Sequence, residues 1–315
     1  MEYKHMNTVE KIRYKARKDV KTIVLPESED ERVRKAADII NREGIARVIL
    51  LSPDRMNAQD KERFAKEFYE LRKSKGLTLD DARGILEQPL YYAAIMVRNR
   101  LVDGFVAGAI HTTPDVVRTA IQCLGVDETM GLASSCFIMI VPDCEYGEEG
   151  TFIFSDCGVI PEPNSRQLAY IAIAASKLVE KVLDFQPRIA LLSYSTRGSS
   201  KGKFIDKIRE ALQTVKQLRP DLLIDGELQV DAAIVPEVAR IKYPESVIGG
   251  KANVLIFPDL EAGNISYKLV QRLGKARAIG PLILGLNRPC SDLSRGCSVE
   301  DIVDCVTVTA VRAQS

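Results

Sequence analysis

Two short stretches hold most of the side chains that could do chemistry. Residues 193–204, "SYSTRGSSKGKF", follow an apolar run and precede a helical pattern. Backbone N–H groups in such a loop can cradle an anion, and Arg197, Lys201 and Lys203 add positive charge. The loop is not a nucleotide P-loop. Only three residues separate Gly198 from Gly202, where that motif needs four, and Phe204 stands where a magnesium-binding Ser or Thr belongs. The alternative is a plain polar connection. Residues 291–303, "SDLSRGCSVEDIV", crowd hydroxyls, acids and an arginine just ahead of another helical pattern. They are either the working part of an enzyme or a turn that leads into a helix. Ser298 with Asp301 three residues on fits a capping box, and Val299, Ile302, Val303, Val306 and Ala310 follow at helical spacing. A cap accounts for Ser298 and Asp301. It gives no reason for Ser294 and Arg295.

Other reactive residues have simpler readings beside the chemical ones. His111 has no evident serine or cysteine partner and reads equally as a structural histidine at a strand end. Cys157 in "FSDCGV" reads as a buried thiol rather than a nucleophile. Asp225, Glu227 and Asp231 in "DGELQVDAAI" suggest a hard-metal site, but no second carboxylate cluster accompanies them. In "FPDLEAGNISYKLVQRL", Gly263 and Asn264 read as a turn before a helix that puts Lys268 and Arg272 four apart on one face.

Positioning these residues falls to an alternation of strands and helices. "KTIVLP", "ARVILLS", "VDGFVAGAI", "CFIMIV", "TFIFSDCGVI", "RIALLSYS", "DLLIDGELQ", "ANVLIFPDL" and "GPLILGL" read as strands. Helical periodicity follows several of them, as in "DERVRKAADIINREG" and "FIDKIREALQTVKQL", and in "TTPDVVRTAIQ", where Thr113 is a candidate cap and Pro114 suits the first turn. The expected fold class is α/β with two domains and mostly parallel sheets. Such sheets bind ligands beyond the carboxyl ends of their strands. A domain crossing is expected near "PDCEYGEEG" and a return near residue 287. That assigns residues 1–145 with 287–315 to one domain and 146–286 to the other.

Composition narrows the class of function. A net charge of +1 leaves no electrostatic footprint for nucleic acid, and no apolar run is long enough to span a bilayer. The first twenty residues are polar and lack a signal core. Seven cysteines without a C-x-x-C pair suit a reduced, cytoplasmic protein. With only His5 and His111, a His-rich metal site is not expected.

Six segments, in order, add a more specific signal: "VDGFVAGAIHTTPDVVRTAIQ", "FSDCGVIPEPNSRQLAYIAIAAS", "LLSYSTRGSSKGK", "DGELQVDAAIVPEVA", "GKANVLIFPDLEAGNISYKLVQRL" and "SDLSRGCSVEDIV". Together they resemble phosphate acetyltransferase, also called phosphotransacetylase, from about residue 80 to the end and more weakly before it. The length matches the short form, without N-terminal regulatory domains. The resemblance implies two α/β domains of the isocitrate-dehydrogenase-like type with a cleft between them, and a homodimer. It implies reversible transfer of an acetyl group between coenzyme A and phosphate. Coenzyme A, acetyl-CoA, acetyl phosphate and phosphate are then its substrates, and no metal or permanently bound cofactor is expected. By the same resemblance, Ser294, Arg295 and Asp301 match the active-site serine, arginine and aspartate. Two departures are visible: "GVDET" at 125–129 is acidic where many members are basic, and the family's "HST" is His111-Thr112-Thr113 here.

The mechanism that follows has Asp301 take the thiol proton of coenzyme A, while Ser294 and Arg295 stabilise the thiolate and Arg295 also polarises the carbonyl or neutralises phosphate charge. Arg118, Arg197 and Lys268 are weaker candidates for contacts to phosphate or to the pyrophosphate of coenzyme A. CoA brings its own thiol, so direct attack in a ternary complex is expected, without an acyl-Cys157 intermediate. Three alternatives stand beside this reading. One is a longer acyl group such as butyryl. Another is a nicotinamide-dependent hydroxyacid dehydrogenase of the same fold, although no G-x-G-x-x-G is present. The third is an inactive regulator that binds coenzyme A or phosphate.

Overall fold

A computed structural model describes Tyr3 and residues 6–314; His5 lies outside the described residues. The chain forms two compact units, Met1–Ala133 with Gly285–Ser315, and Ser134–Leu284.

The first unit begins with α1 (Thr8–Lys18), started by a capping box of Asn7 and Glu10 and held by buried Ile12 and Ala16. Then come β1 (Thr22–Leu25), α2 (Glu31–Arg42), β2 (Arg47–Leu50), α3 (Ala58–Arg72), α4 (Leu79–Ile85), α5 (Pro89–Arg98), β3 (Gly104–Ala107) and α6 (Thr113–Leu124). Asp30 caps α2, which buries Val33, Ala36, Ala37 and Ile40 at helical spacing. β3 is buried along its whole length, the mark of a strand covered on both faces.

The second unit contains β4 (Ser134–Ile140), β5 (Thr151–Ser155), α7 (Ser165–Leu178), β6 (Arg188–Leu192), α8 (Lys203–Leu218) and β7 (Leu223–Leu228). It continues through α9 (Val230–Ile234), α10 (Pro236–Lys242), β8 (Val254–Ile256), α11 (Leu260–Leu273) and β9 (Arg277–Leu284). Its strands lie in the order β9-β4-β5-β8-β6-β7. β4 runs antiparallel to both β5 and β9, and the other pairs are parallel.

The chain then completes the first unit with β10 (Cys290–Asp292) and α12 (Val299–Ala313). The sheet there has the order β2-β1-β3-β10, all parallel. α12 packs against α1, α2 and β3, and every residue from Ile302 to Val311 is buried. The α/β class with mostly parallel strands is as the alternation predicts.

Three local expectations change. Thr112, not Thr113, caps α6, because the Thr112 hydroxyl accepts from Asp115 N at 3.4 Å. Thr113 already belongs to the helix, and its hydroxyl turns to Asp292. Gly263 and Asn264 lie inside α11, which Asp259 caps. A Cβ on Gly263 would come within 2.2 Å of the Asp156 carbonyl oxygen, so the glycine serves a close helix–strand approach rather than a turn. Finally, the three-residue strand β10 carries Asp292, in a stretch that reads from sequence as loop.

Candidate active site

The loops that leave β1, β3 and β10 emerge at the carboxyl ends of neighbouring parallel strands. Ile23 of β1 is paired with Gly104, and Ala107 of β3 with Asp292 of β10. The loop after β1 supplies Glu27, which is 1% exposed. Its carboxylate fills a nest of backbone amides after β3. It accepts from the N–H groups of Gly108, Ala109, Ile110 and His111 at 2.8–3.0 Å. It also meets His111 Nδ1 at 2.8 Å. Burial pushes the Glu27 carboxyl up, but His111 and the amides outweigh it and hold it below the usual value. The same contact raises His111 above the ordinary imidazole value. His111 Nε2 has no hydrogen-bond partner among the described residues, and about 31% of the side chain is exposed.

Arg32, at the start of α2, clamps two of these loops together. Its Nη1 donates to the carbonyl oxygens of Arg295 and Cys297 at 2.8 and 2.9 Å, and its Nη2 to that of Ala109 at 3.0 Å. Asp30 fixes the guanidinium from behind, with Nη2 to Oδ2 at 2.6 Å. The His111 loop and the Ser294–Arg295 loop are therefore bound through one guanidinium, and the planar fork makes this possible.

Asp292, fully buried at the end of β10, takes the Thr113 hydroxyl on Oδ2 at 2.5 Å. Its Oδ1 has no hydrogen-bond partner among the described residues. Burial pushes this carboxyl up to about 7. Gly108 makes room for it: a Cβ there would lie 2.3 Å from Oδ1.

Ser294 and Arg295 are exposed two and three residues beyond Asp292. The Ser294 hydroxyl accepts from Gly296 N at 3.3 Å, and its carbonyl accepts from Cys297 N at 2.9 Å, closing a tight turn. The capping box at α12 is present as the sequence predicts: Ser298 Oγ accepts from Asp301 N at 3.2 Å and Asp301 Oδ2 from Ser298 N at 2.8 Å. Asp301 is half-buried, and its Oδ1 has no hydrogen-bond partner among the described residues. The neighbouring arginines are paired, Arg32 with Asp30 and Arg13 with Glu300 and Asp304. The Arg295 guanidinium has no carboxylate partner among the described residues. An exposed guanidinium, a hydroxyl, a carboxylate and an imidazole at adjacent strand ends can together bind an anionic substrate and move protons.

The other sequence candidates lie elsewhere. Arg118, on α6, is exposed and pairs with Asp115 at 2.9 Å. Arg197 and Lys268 belong to the second unit. Arg197 rests over the Tyr243 ring at 5.0 Å, and Lys268 lies 5.8 Å from the ring of Tyr267. Arg197 lines a pocket of about 410 Å³ with Gly198, Arg209, Gln213, Lys216 and Glu227. The loop around it is not an open anion cradle. Gly198 N donates to Glu227 at 2.8 Å, Ser199 N to Thr196 O at 3.1 Å and Ser200 N to Ser195 Oγ at 3.1 Å. Glu227 is also gripped by Arg209 at 2.8 Å; burial would raise its carboxyl, yet these bonds hold it at about 2. Asp231 pairs with Lys242 at 2.7 Å and Asp225 accepts from Ser246 at 2.6 Å. No group of three His, Cys, Asp or Glu side chains that could hold a metal occurs among the described residues.

All seven cysteines are free, and the Cys157 thiol is fully buried, with burial and then Asp156 pushing it well above its ordinary value. No helix among the described residues is long and apolar enough to cross a membrane.

Sequence reasoning missed Glu27, Arg32 and Asp292. A signal was available for the first two: "PESEDER" follows the first strand, at the end where ligands bind, and is unusually charged.

Residues 7–310 match the family described as phosphate acetyl/butaryl transferase. A phosphate acetyltransferase of Acetivibrio thermocellus is 50% identical over 98% of this chain and 99% of its own length. One of Thermoanaerobacterium thermosaccharolyticum is 47% identical over 98% and 100%. Among solved structures, a phosphotransacetylase from Streptococcus pyogenes superposes with a TM-score of 0.89 at 39% identity, covering 96% of each chain.

Proposed function

The chain belongs to the phosphate acetyl/butaryl transferase family, and on that premise we propose how its residues carry out the transfer. The enzyme moves an acetyl group reversibly between coenzyme A and phosphate: acetyl-CoA and phosphate give acetyl phosphate and CoA. In the direction that consumes acetyl phosphate, Asp301 takes the proton of the CoA thiol. The thiolate then attacks the carbonyl carbon, a C–S bond forms, and the C–O bond to phosphate breaks. Both substrates are bound at once, and no acyl-enzyme forms.

Proton transfer to a carboxylate is the uphill part. A free thiol and a free aspartate differ by about 4.6 pKa units, or about 6 kcal/mol. Ser294 donating to the thiolate and Arg295 binding the developing oxyanion or the phosphate offset this. Hydrogen bonds to charged groups contribute about 1.5–3 kcal/mol each, so the pair is of the right order. The capping bond from Ser298 N fixes one oxygen of Asp301 and leaves the other to reach the thiol. The observation that carries this reading is the Arg295 guanidinium, exposed beside Ser294 while neighbouring Arg13 and Arg32 are held by carboxylates. An arginine without a protein counter-ion is available to an anionic substrate.

Arg118, Arg197 and Lys268 are assigned to phosphate or to the pyrophosphate of CoA. The two compact units are taken as the two domains of the fold, the working form as a homodimer and the compartment as the cytoplasm, in keeping with seven free thiols. The test is thioester formation from CoA with a panel of acetyl, propionyl and butyryl phosphates, without added metal. Turnover greatest with acetyl phosphate is expected; no turnover with any of them overturns the reading.

A further inference from the structure

The transfer has a second proton that Asp301 does not deliver. CoA thiol and the acetyl phosphate dianion become acetyl-CoA and the hydrogen phosphate dianion. The reaction releases no net proton, yet cleavage of the C–O bond by itself would expel phosphate as a strongly basic trianion. A proton must reach the departing oxygen as the bond breaks. A carboxyl that has just removed the thiol proton lies on the nucleophile's side of the carbonyl, so a second group on the phosphate side suits the geometry of displacement.

We propose that His111, held in place by the buried Glu27, is that proton donor. The assignment rests on the acetyl-transfer reading of the same site. Four observations carry it. His111 follows β3 by four residues and Ser294 follows β10 by two, and the two strands are paired through Ala107 and Asp292. Neighbouring strands lie about 4.8 Å apart, so both loops start from almost the same place. Arg32 then ties the backbone of Ala109 to those of Arg295 and Cys297, which fixes the imidazole loop to the arginine loop. Glu27 contacts Nδ1 at 2.8 Å, so the imidazolium presents Nε2–H away from Glu27, with no partner for it among the described residues. Glu27 is itself locked by four backbone amides and cannot follow the imidazole if it swings, so it acts as a positioning residue.

In the forward step the Nε2–H bond breaks, the proton joins the bridging oxygen of the leaving phosphate, and the C–O electron pair stays on that oxygen. His111 is left neutral and Asp301 protonated; exchange with solvent resets both. In reverse, neutral His111 takes the proton from hydrogen phosphate as its oxygen attacks acetyl-CoA. The charged groups around the imidazole favour the protonated form: Glu27 and Glu29 from the loop after β1, and Asp115 from α6. Arg32 is neutralised by Asp30, and the end of β10 brings Asp292 and Arg295.

The experiment measures kcat and KM against pH in both directions for the wild type, His111→Gln and Glu27→Gln. Histidine NMR titration accompanies it. The chain has two histidines, so His5→Gln assigns the remaining resonance to His111. In the wild type, kcat with acetyl phosphate should fall as pH rises through the value at which His111 titrates, and the reverse kcat should fall below that value. His111→Gln should lose about 10²-fold in kcat in both directions, with KM for acetyl phosphate little changed, and should lose both of those limbs. Glu27→Gln should move the His111 titration down and the limbs with it.

Full kcat in His111→Gln, or a raised KM with both limbs intact, overturns proton donation and leaves an anion contact. If His111→Gln does not fold, the wild type decides: limbs that fail to coincide with the NMR titration overturn the assignment. No turnover by the wild type overturns the transferase reading and this step with it, whereas turnover with unchanged limbs overturns this step alone.

Discussion

Asp292→Asn should reverse its effect on stability with pH. The carboxyl is fully buried, one oxygen has no partner, and burial raises it to about 7. In the unfolded chain it titrates near 3.9. From about pH 4 to pH 7 the folded protein therefore binds a proton that the unfolded chain has released. Stability from this group is fully present below pH 4, falls as pH rises and is lost above 7. A shift of about 3 units corresponds to about 4 kcal/mol. Asparagine cannot ionise, so it escapes that loss. It can still accept the Thr113 hydroxyl, but it puts an NH₂ where the unpartnered oxygen stood, at a cost of about 1–3 kcal/mol. Relative to wild type, the variant should be less stable at pH 4.5 and more stable at pH 8. Urea denaturation across that range, plotted as the difference between the two proteins, isolates the term from all other titrations. A difference that stays constant from pH 4.5 to 8 refutes the raised carboxyl. Thr113→Val removes a bond that holds the value down, and should push the window to still higher pH.

Asp301→Asn should lower kcat by about 10²–10⁴-fold, the range of general base catalysis, while Asn still accepts from Ser298 N. Unchanged thermal stability with lost turnover separates this from a failed cap, and near-normal kcat assigns the proton to another group. Arg295→Lys should recover little of an activity that Arg295→Ala lowers by at least about 10²-fold, because an ammonium lacks the planar fork; full activity in the lysine variant limits the role to bulk charge. Cys157→Ala should keep most activity and lose about 1–2 kcal/mol of stability through packing, read by denaturation. With CoA absent, labelled phosphate should not exchange into acetyl phosphate, and exchange that vanishes in Cys157→Ala would restore the acyl-enzyme route.

The strands and helices were legible because their patterns are local. β1, β3 and β6 announce themselves as short apolar runs, and the box of Ser298 and Asp301 lies within four residues of chain. The contents of the site were less legible because they depend on pairings distant in sequence. Glu27 and His111 are 84 residues apart, Arg32 and Arg295 263 apart, and Thr113 and Asp292 179 apart. Nothing in a single sequence states that the loops after β1, β3 and β10 share one end of a sheet. β10 itself is three residues long, too short for any period to show. In the loop at Arg197 the partner of Gly198 N is equally hidden from sequence, because it is Glu227, from a strand about 30 residues further on.

Glu27 in its nest has a consequence for how binding free energy is used. A loop whose amides wait for a substrate must be ordered by that substrate, and each backbone residue fixed costs about 1–2 kcal/mol in entropy. Residues 108–111 have been ordered by folding instead, around an anion that the chain supplies and cannot lose. The entropy was lost once, during synthesis of the fold, and does not recur with each turnover. Dissolved sulfate or phosphate finds no vacancy among those amides, so the order of the loop does not depend on a bound anion, and the affinity of a ligand there reflects its own contacts.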